Sequence, residues 1–336
     1  MHTTAGRYVF MVNPVAGGGE GARLAKALGP ALEGLGLPAS AYAVEPTPFP
    51  TDAAALRRFA SGAAAMIAVG GDGTVSDLAG AVLAAGPSCA LGVIPVGTGN
   101  DLARVTGTHA LLARHGLAAL LRALLAGHTA SLDAWRVDGQ LMVNYLSVGL
   151  DAAVAARFHA RRRRGLFPTG SVLGNRAAYA MCALGCLGRR IRAARAELTL
   201  ADGGRLDLDL RGRCALILAN IPSYGGGAMT ARDVRCDDGL LQATLVRSPR
   251  ELAGMFLVRY LAPWRMEAHA ARLECLAVRR AVLRMGPDEF LQVDGEPRPE
   301  FAGRDLAVEH AGSLRVLHVP GKPPCATCPR GESRVS

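Results

Sequence analysis

The sequence predicts an α/β plus all-β fold, and three observations carry that prediction. Up to about residue 130, short apolar runs of strand length alternate with helical periodicity. Glycine-rich turns close several of those runs, as at the sheet end of βαβ units. After Leu132 the texture changes to short alternating runs, the pattern of antiparallel strands.

In order, residues 8–12 read as a buried strand, a glycine turn follows, and residues 23–35 read as a helix. A strand comes next near Tyr42, then a helix from about Thr51 that carries Ala54, Leu56 and Phe59 on its apolar side. Residues 66–69 form a strand that runs straight into Gly70 and Gly71. Residues 75–83 read as helix and 91–94 as strand, and the segment after Asn100 returns to helix through about Ala126. Beyond the change of texture, strands are expected over 133–137, 141–148, 198–200, 206–210, 215–219, 241–246 and 278–285. One helical insertion interrupts them, over about 152–188. The boundary falls at about 130, giving an α/β domain over 1–130, a β-rich domain over 131–320 and a frayed tail over 321–336 rich in Pro, Gly, Arg and Ser.

Composition narrows the function classes. A chain of 336 residues that is 50% hydrophobic and 20% charged has enough apolar material for two ordinary domains. The net charge of +10 favours anionic partners: nucleotide phosphates, nucleic acid or an anionic bilayer. Nearly all of it is arginine, since Lys26 and Lys322 are the only lysines. Nucleic acid fits poorly, because aromatics are only 5% and no RNA-binding motif, zinc-finger spacing or helix-turn-helix signature is present. Eight cysteines, most of them single and inside apolar runs, read as reduced thiols and point to the cytoplasm. Cys325 and Cys328 form a CxxC in the tail with no second pair beside it for zinc. No secretory leader is evident, and the most apolar helical stretch, 177–188, is shorter than the ~20 residues a span requires.

Three glycine-rich segments stand at predicted strand ends, where open α/β sheets bind ligands. Asn13-Pro14-Val15-Ala16-Gly17-Gly18-Gly19 frees backbone N–H groups to approach phosphate just before a helix, although a tight turn without ligand has the same look. Gly70-Gly71-Asp72-Gly73-Thr74-Val75-Ser76 sets one carboxylate among three glycines; Asp72 can hold magnesium or a hydroxyl, and Thr74 can cap the helix. Pro95-Val96-Gly97-Thr98-Gly99-Asn100-Asp101 puts a hydroxyl, an amide and a carboxylate at successive small-residue positions. None of these is a Walker loop, which ends in Lys-Ser or Lys-Thr, and none is the dinucleotide GxGxxG. A nucleotide site of another construction is indicated.

This combination resembles the diacylglycerol kinase catalytic-domain family, which also includes sphingosine and ceramide kinases. GGDGT alone is shared with NAD kinases and 6-phosphofructokinases. The narrower matches are Pro95 to Asp101, which resembles the family's PxGTxND, and Asn13 to Gly19, which resembles its NPxxGxG. Further matches are Asn144 to Ala152 with Arg157-Phe158-His159, Asn220 to Gly227, Asp238-Gly239-Leu240-Leu241 and Val293-Asp294-Gly295-Glu296. The resemblance runs in order from about residue 8 to 318, and its second-domain blocks favour diacylglycerol over sphingosine.

What the resemblance implies is a phosphofructokinase-like α/β domain, a C-terminal antiparallel β-sandwich-like domain and an active site between them. By the same resemblance ATP is bound by Asn13, Pro14, Val15, Ala16, Gly17, Thr47, Gly70, Gly71, Asp72, Gly73, Thr74, Val75, Ser76 and Thr98, with Asn100 and Asp101 in the adjoining segment. Thr51 is the alternative to Thr47. Asp72 with Mg2+ would steady the phosphates, and Asp294 or Glu296 would accept the lipid hydroxyl's proton. Taken alone, Asp294-Gly295-Glu296 is an exposed turn. Asp238, with carbonyls of Arg235 and Leu240, would hold a second, structural magnesium, although a DG turn between strands often carries no metal.

Arg157, Arg161, Arg162, Arg163 and Arg164 would neutralise ATP phosphates or draw the chain to anionic phospholipid headgroups at ~1 kcal/mol each, against the commoner use of such a run as a solvated face. The expected partner is a lipid substrate at a membrane surface, with the chain peripherally attached, and a homodimer is left open. Rival readings are a sphingosine or ceramide kinase, an NAD kinase-like soluble enzyme, and a non-catalytic lipid-binding regulator.

Overall fold

The computed structural model describes residues 6–165, 172–232 and 234–321. In the first third, β1 (Arg7–Val12), α1 (Glu20–Glu33), β2 (Tyr42–Pro46), α2 (Ala53–Ala60), β3 (Ala63–Gly70), α3 (Asp72–Ala85) and β4 (Ala90–Pro95) follow one another, then α4 (Asp101–Val105) and α5 (Thr108–Leu125). The strands are parallel, in the order β4-β3-β1-β2. Alternation along each strand chooses the face. Phe10, Val12, Ile67 and Ile94 meet Leu28 and Leu32 of α1 and Leu120, Leu121 and Leu124 of α5. Met11, Met66, Ala68 and Val93 meet Leu56 of α2, Leu78 and Val82 of α3 and Leu102 of α4. A sheet covered on both faces needs strands that are apolar throughout, which is how these read. Each fully buried leucine among them contributes about 2 kcal/mol over an exposed one.

The single helix expected after Asn100 is broken twice, at Gly107 and, within α5, at the non-helical Gly116. Gly107, at φ 80°, ends α4 and starts α5 in a conformation that a side chain would strain.

The rest contains β5 (Thr129–Val137), β6 (Gln140–Met142), β7 (Tyr145–Gly149), α6 (Leu150–Arg163), α7 (Val172–Leu184), β8 (Ala194–Leu200), β9 (Arg205–Asp209), β10 (Ala215–Ala219) and β11 (Leu241–Val246). After these come α8 (Pro249–Leu261), α9 (Met266–Ala270), β12 (Glu274–Met285), β13 (Leu291–Val293), β14 (Glu296–Pro297) and β15 (Asp305–Leu317). Pairings among these strands are antiparallel. They curl around a core of Trp135, Leu146, Val148, Leu216, Leu218, Leu283 and Val308. The opposite face of β10 carries a helical layer, with Phe158 of α6, Cys182 of α7 and Met255 of α8 packed on Ala215, Ile217 and Ala219.

Of the further departures from the expected elements, three bear most on the architecture. The run 141–148 is split into β6 and β7, because the N–H groups of Val143 and Asn144 are taken by the Asp294 carboxylate rather than by a strand partner. Helix α8 was not expected, although Ser248 accepts from the Glu251 N–H and Pro249 starts the first turn, an ordinary opening signal. The last long strand, β15, was also unread. It pairs antiparallel with β12 and β5 and, at Arg315 and Val316, parallel with β4, so the sheet runs unbroken from one half of the chain to the other. Residue 130 lies inside β5.

Four of the six described cysteines are buried. Among the described residues no helix is long and apolar enough to cross a membrane. Cys325 and Cys328 lie outside the described residues, as does the expected tail apart from Gly321.

Candidate active site

The three glycine segments meet at the carboxyl ends of β1, β3 and β4. Their glycines are there because main chain meets main chain. A Cβ on Gly97 would lie 2.7 Å from the Gly71 Cα, and one on Gly17, itself at φ 59°, would lie 2.7 Å from the Val96 carbonyl oxygen. A Cβ on Gly21 would lie 2.0 Å from the Asn13 carbonyl oxygen, so the second position of α1 has to be a residue that lacks one. Asn13 shapes its own loop by accepting from the Val15 N–H at 3.2 Å, and its Nδ2 donates to Thr74 Oγ1 at 3.4 Å. Pro14, Ala16 and Gly17 follow in that loop, and Val15 is largely exposed. No side chain caps α1 or α3, which leaves their first-turn N–H groups as donors for an anion. Thr47 donates its backbone N–H to the Val12 carbonyl at 2.8 Å, while its Oγ1 is buried without a partner. Thr51 instead donates its hydroxyl to Asp77 at 3.2 Å. Thr98 lies across the cleft from α7, accepting from Asn175 Nδ2 at 3.4 Å.

Asp72 is built into this junction. Its two oxygens accept from the Asn100 N–H at 2.7 Å and the Asp101 N–H at 2.9 Å, which caps α4. Asn100, at φ 54°, holds the turn through paired bonds with Gly97. Burial raises the Asp72 carboxyl to about 7, with the charges of Asp101 and Asp294 adding to the effect. Asp101 is wholly buried and fully engaged: Tyr145 Oη at 3.0 Å, Ser223 Oγ at 2.5 Å and the Gly226 N–H at 2.9 Å all donate to it. It therefore ties α4 to the second half of the chain rather than facing a ligand.

The late acidic turn arrives from the other side. Asp294, at φ 51° and 4% exposed, accepts from Ser76 Oγ at 2.8 Å and from the N–H groups of Val143, Asn144 and Tyr145 at 3.0, 2.8 and 3.1 Å. Burial still holds its carboxyl above the usual carboxylate range. Glu296 differs: its side chain is about half exposed, and its Oε1 lies 3.7 Å from where a Cβ on Gly73 would stand. His159 Nδ1 approaches Glu296 at 3.4 Å. Burial lowers the His159 pKa, and Arg162 and Arg163 lower it further, so the imidazole is neutral near pH 7 despite the glutamate.

Two residues in this network were absent from the expected site. His159 lies in the Arg157-Phe158-His159 block, and the resemblance implies no role for it. Asp151, buried, accepts from the hydroxyls of Ser147 and Tyr224, and burial raises its pKa. The signal available for both was a polar residue breaking an apolar run.

Arg235, Asp238 and Leu240 occupy a separate turn before β11. Asp238 is exposed and accepts from the Leu240 N–H at 3.1 Å, while the Arg235 side chain pairs with Asp237 at 3.1 Å. The turn is held from below by Asp133, whose Oδ2 accepts from the Gly239 N–H at 2.7 Å. Among the described residues no group of three or more His, Cys, Asp or Glu is placed to hold a metal ion.

Comparison with known proteins agrees with this architecture. Residues 7–137 match the diacylglycerol kinase catalytic domain and residues 141–297 the diacylglycerol kinase accessory domain. A Pseudomonas syringae pv. tomato protein named "Probable lipid kinase YegS-like" is 31% identical over 271 residues, covering 79% of each chain. Human diacylglycerol kinase zeta is 29% identical over 279 residues, 71% of this chain but 28% of its own length. A crystal structure described as a diacylglycerol kinase from Bacillus anthracis superposes with a TM-score of 0.66 at 19% identity, over 94% of this chain and 97% of that one, and shares its fold. By these matches and the cleft they span, the chain belongs to the diacylglycerol kinase family of ATP-dependent lipid kinases.

Proposed function

We propose that the chain transfers the γ-phosphate of ATP to the free hydroxyl of diacylglycerol, giving phosphatidic acid and ADP. The observation that carries this reading is the approach of a half-exposed carboxylate, Glu296, to Gly73 in the first turn of α3, whose N–H groups have no side-chain cap. Phosphoryl transfer asks a protein for position, charge neutralisation and a proton acceptor, and those three parts converge here.

In this reading the loop from Asn13 to Gly17 and the turn from Gly70 to Ser76 bind the nucleotide phosphates through main-chain N–H groups. The buried, unpartnered hydroxyl of Thr47 supplies a further polar contact, with Thr98 on the far wall. Asp72 would hold a divalent cation, whose charge would offset the burial that raises its carboxyl. Magnesium bound there would neutralise phosphate charge. Glu296 takes the proton from the lipid hydroxyl as its oxygen bonds to phosphorus and the bond to ADP breaks. Neutral His159 beside it keeps the carboxylate oriented without quenching its charge. Asp294 holds the turn that presents Glu296, since four donors already occupy its oxygens.

Diacylglycerol is supported over sphingosine by the blocks around Asn144 and Asn220 and by the likeness to human diacylglycerol kinase zeta. Such an acceptor lives in a bilayer, so the chain works at a membrane surface, and its net charge of +10 suits anionic headgroups. The test is to give purified protein labelled ATP, magnesium and a panel of diacylglycerol, monoacylglycerol, ceramide, sphingosine and NAD. Label in diacylglycerol is expected. Label confined to ceramide, sphingosine or NAD would replace this reading by one of its rivals.

A further inference from the structure

Among the described residues, helix α8 and the turn after it carry a group of exposed large apolar side chains. Leu257, Tyr260, Leu261 and Trp264 are 53%, 54%, 73% and 77% exposed; spacing puts the first three on one side of α8, and Trp264 stands in the short turn that follows the break at Ala262. Large exposed apolar side chains in such a row mark an interaction surface. The same helix presents its inner side to the cleft. Phe256 fills the space where a Cβ on Gly225 would stand, and the Arg259 guanidinium lies against Gly226 and Gly227, next to the main chain that holds Asp101. Arg250 in the first turn of α8 and Arg265 next to Trp264 are exposed, as is Arg272 after α9; the acids of these segments are half-buried Glu251 and exposed Glu267. Helix α7, in the same layer over β10, adds exposed Met181 and Leu184.

Building on the lipid-kinase reading, we infer that this side of α8 is the docking surface for an anionic bilayer, with Leu257, Leu261 and Trp264 inserted at the headgroup boundary. Aromatic and leucine side chains edged by arginine are the composition of helices that lie in a membrane interface. Because α8 also walls the cleft, docking there brings the mouth of the cleft to the place where a lipid acceptor lies. A protein partner or a second copy on the same face would instead stand between the cleft and its lipid.

The chain offers its own probe, for it has two tryptophans: Trp135 is fully buried and Trp264 is the exposed one. Vesicles of phosphatidylcholine and phosphatidylglycerol containing brominated acyl chains are expected to quench part of the emission, and Trp264→Phe to remove that quenching. The double substitution Leu257→Gln and Leu261→Gln is expected to lower vesicle binding by about tenfold or more. Its turnover of a water-soluble short-chain diacylglycerol should stay unchanged. Undiminished vesicle binding by that variant, or emission that brominated lipid leaves intact, would overturn the inference. So would light scattering, without lipid, that shows a dimer in the parent and a monomer in the variant. Vesicle binding is read without catalysis; a parent protein that phosphorylates no lipid would refute the proposed function and leave this surface to stand or fall by quenching.

Discussion

Asp72, Asp294 and Glu296 are three carboxylates with three environments, and environment assigns the work. Asp294 is saturated by a hydroxyl and three main-chain N–H groups, whereas Glu296 is half exposed and free to accept a proton. Glu296→Gln is therefore expected to cut lipid phosphorylation about a hundredfold or more with little change in thermal midpoint. Asp294→Asn should destabilise the fold by about 3 kcal/mol, because in either orientation the amide NH2 faces a main-chain N–H that can only donate. Equal loss of activity from both at unchanged midpoints would move the base to Asp294. Asp72 gives a test through pH. Its carboxyl is raised from 3.8 to about 7 in the folded chain, so the folded state holds the proton more tightly and loses stability as pH climbs between those values. In metal-free buffer, the stability of the Asp72→Asn variant relative to the parent should rise from pH 4 to pH 8. A gap that stays flat would mean the carboxyl is ionised throughout.

At the scale of elements, the glycine segments are legible in the sequence because the constraint is local and stereochemical. Their mutual contact is not legible, since Gly71 and Gly97 meet only when β3 and β4 are side by side. Gly97→Ala should push the two turns apart at a cost of about 1–3 kcal/mol and weaken ATP binding more than lipid binding. Denaturant midpoints together with separate KM values for the two substrates would check it, and an unchanged KM for ATP would detach this contact from the nucleotide. The split between β6 and β7 has the same character. Residues 141–148 alternate well enough for one strand, and a carboxylate some 150 positions away interrupts it. Helix α8 is a different case, for its Ser-Pro opening was present in the sequence but its mixed apolar and basic pattern lacks a clean stripe, as befits a helix with one side on the core and another left exposed.

Across the whole molecule, β15 joins the halves by pairing with β4, β5 and β12, and the bond from Ser76 to Asp294 closes the cleft between them. Calorimetry is expected to show one cooperative transition; two resolved transitions would mean the halves hold together more weakly than this sheet implies.

By itself the sequence determined the parallel α/β beginning, the change to antiparallel strands and the glycine segments at the strand ends, and it singled out the acids proposed for the site. All of these are written in periodicity and in residue types with narrow conformational or chemical uses, which a chain displays before it folds. Tertiary structure alone decided that Asp101 and Asp294 are braces, that Glu296 faces Gly73 with His159 beside it, and that the sheet is continuous. Each depends on which donors and strands from distant parts of the chain arrive at one place, and burial with its hydrogen bonds, not residue type, sets what a carboxylate can do there.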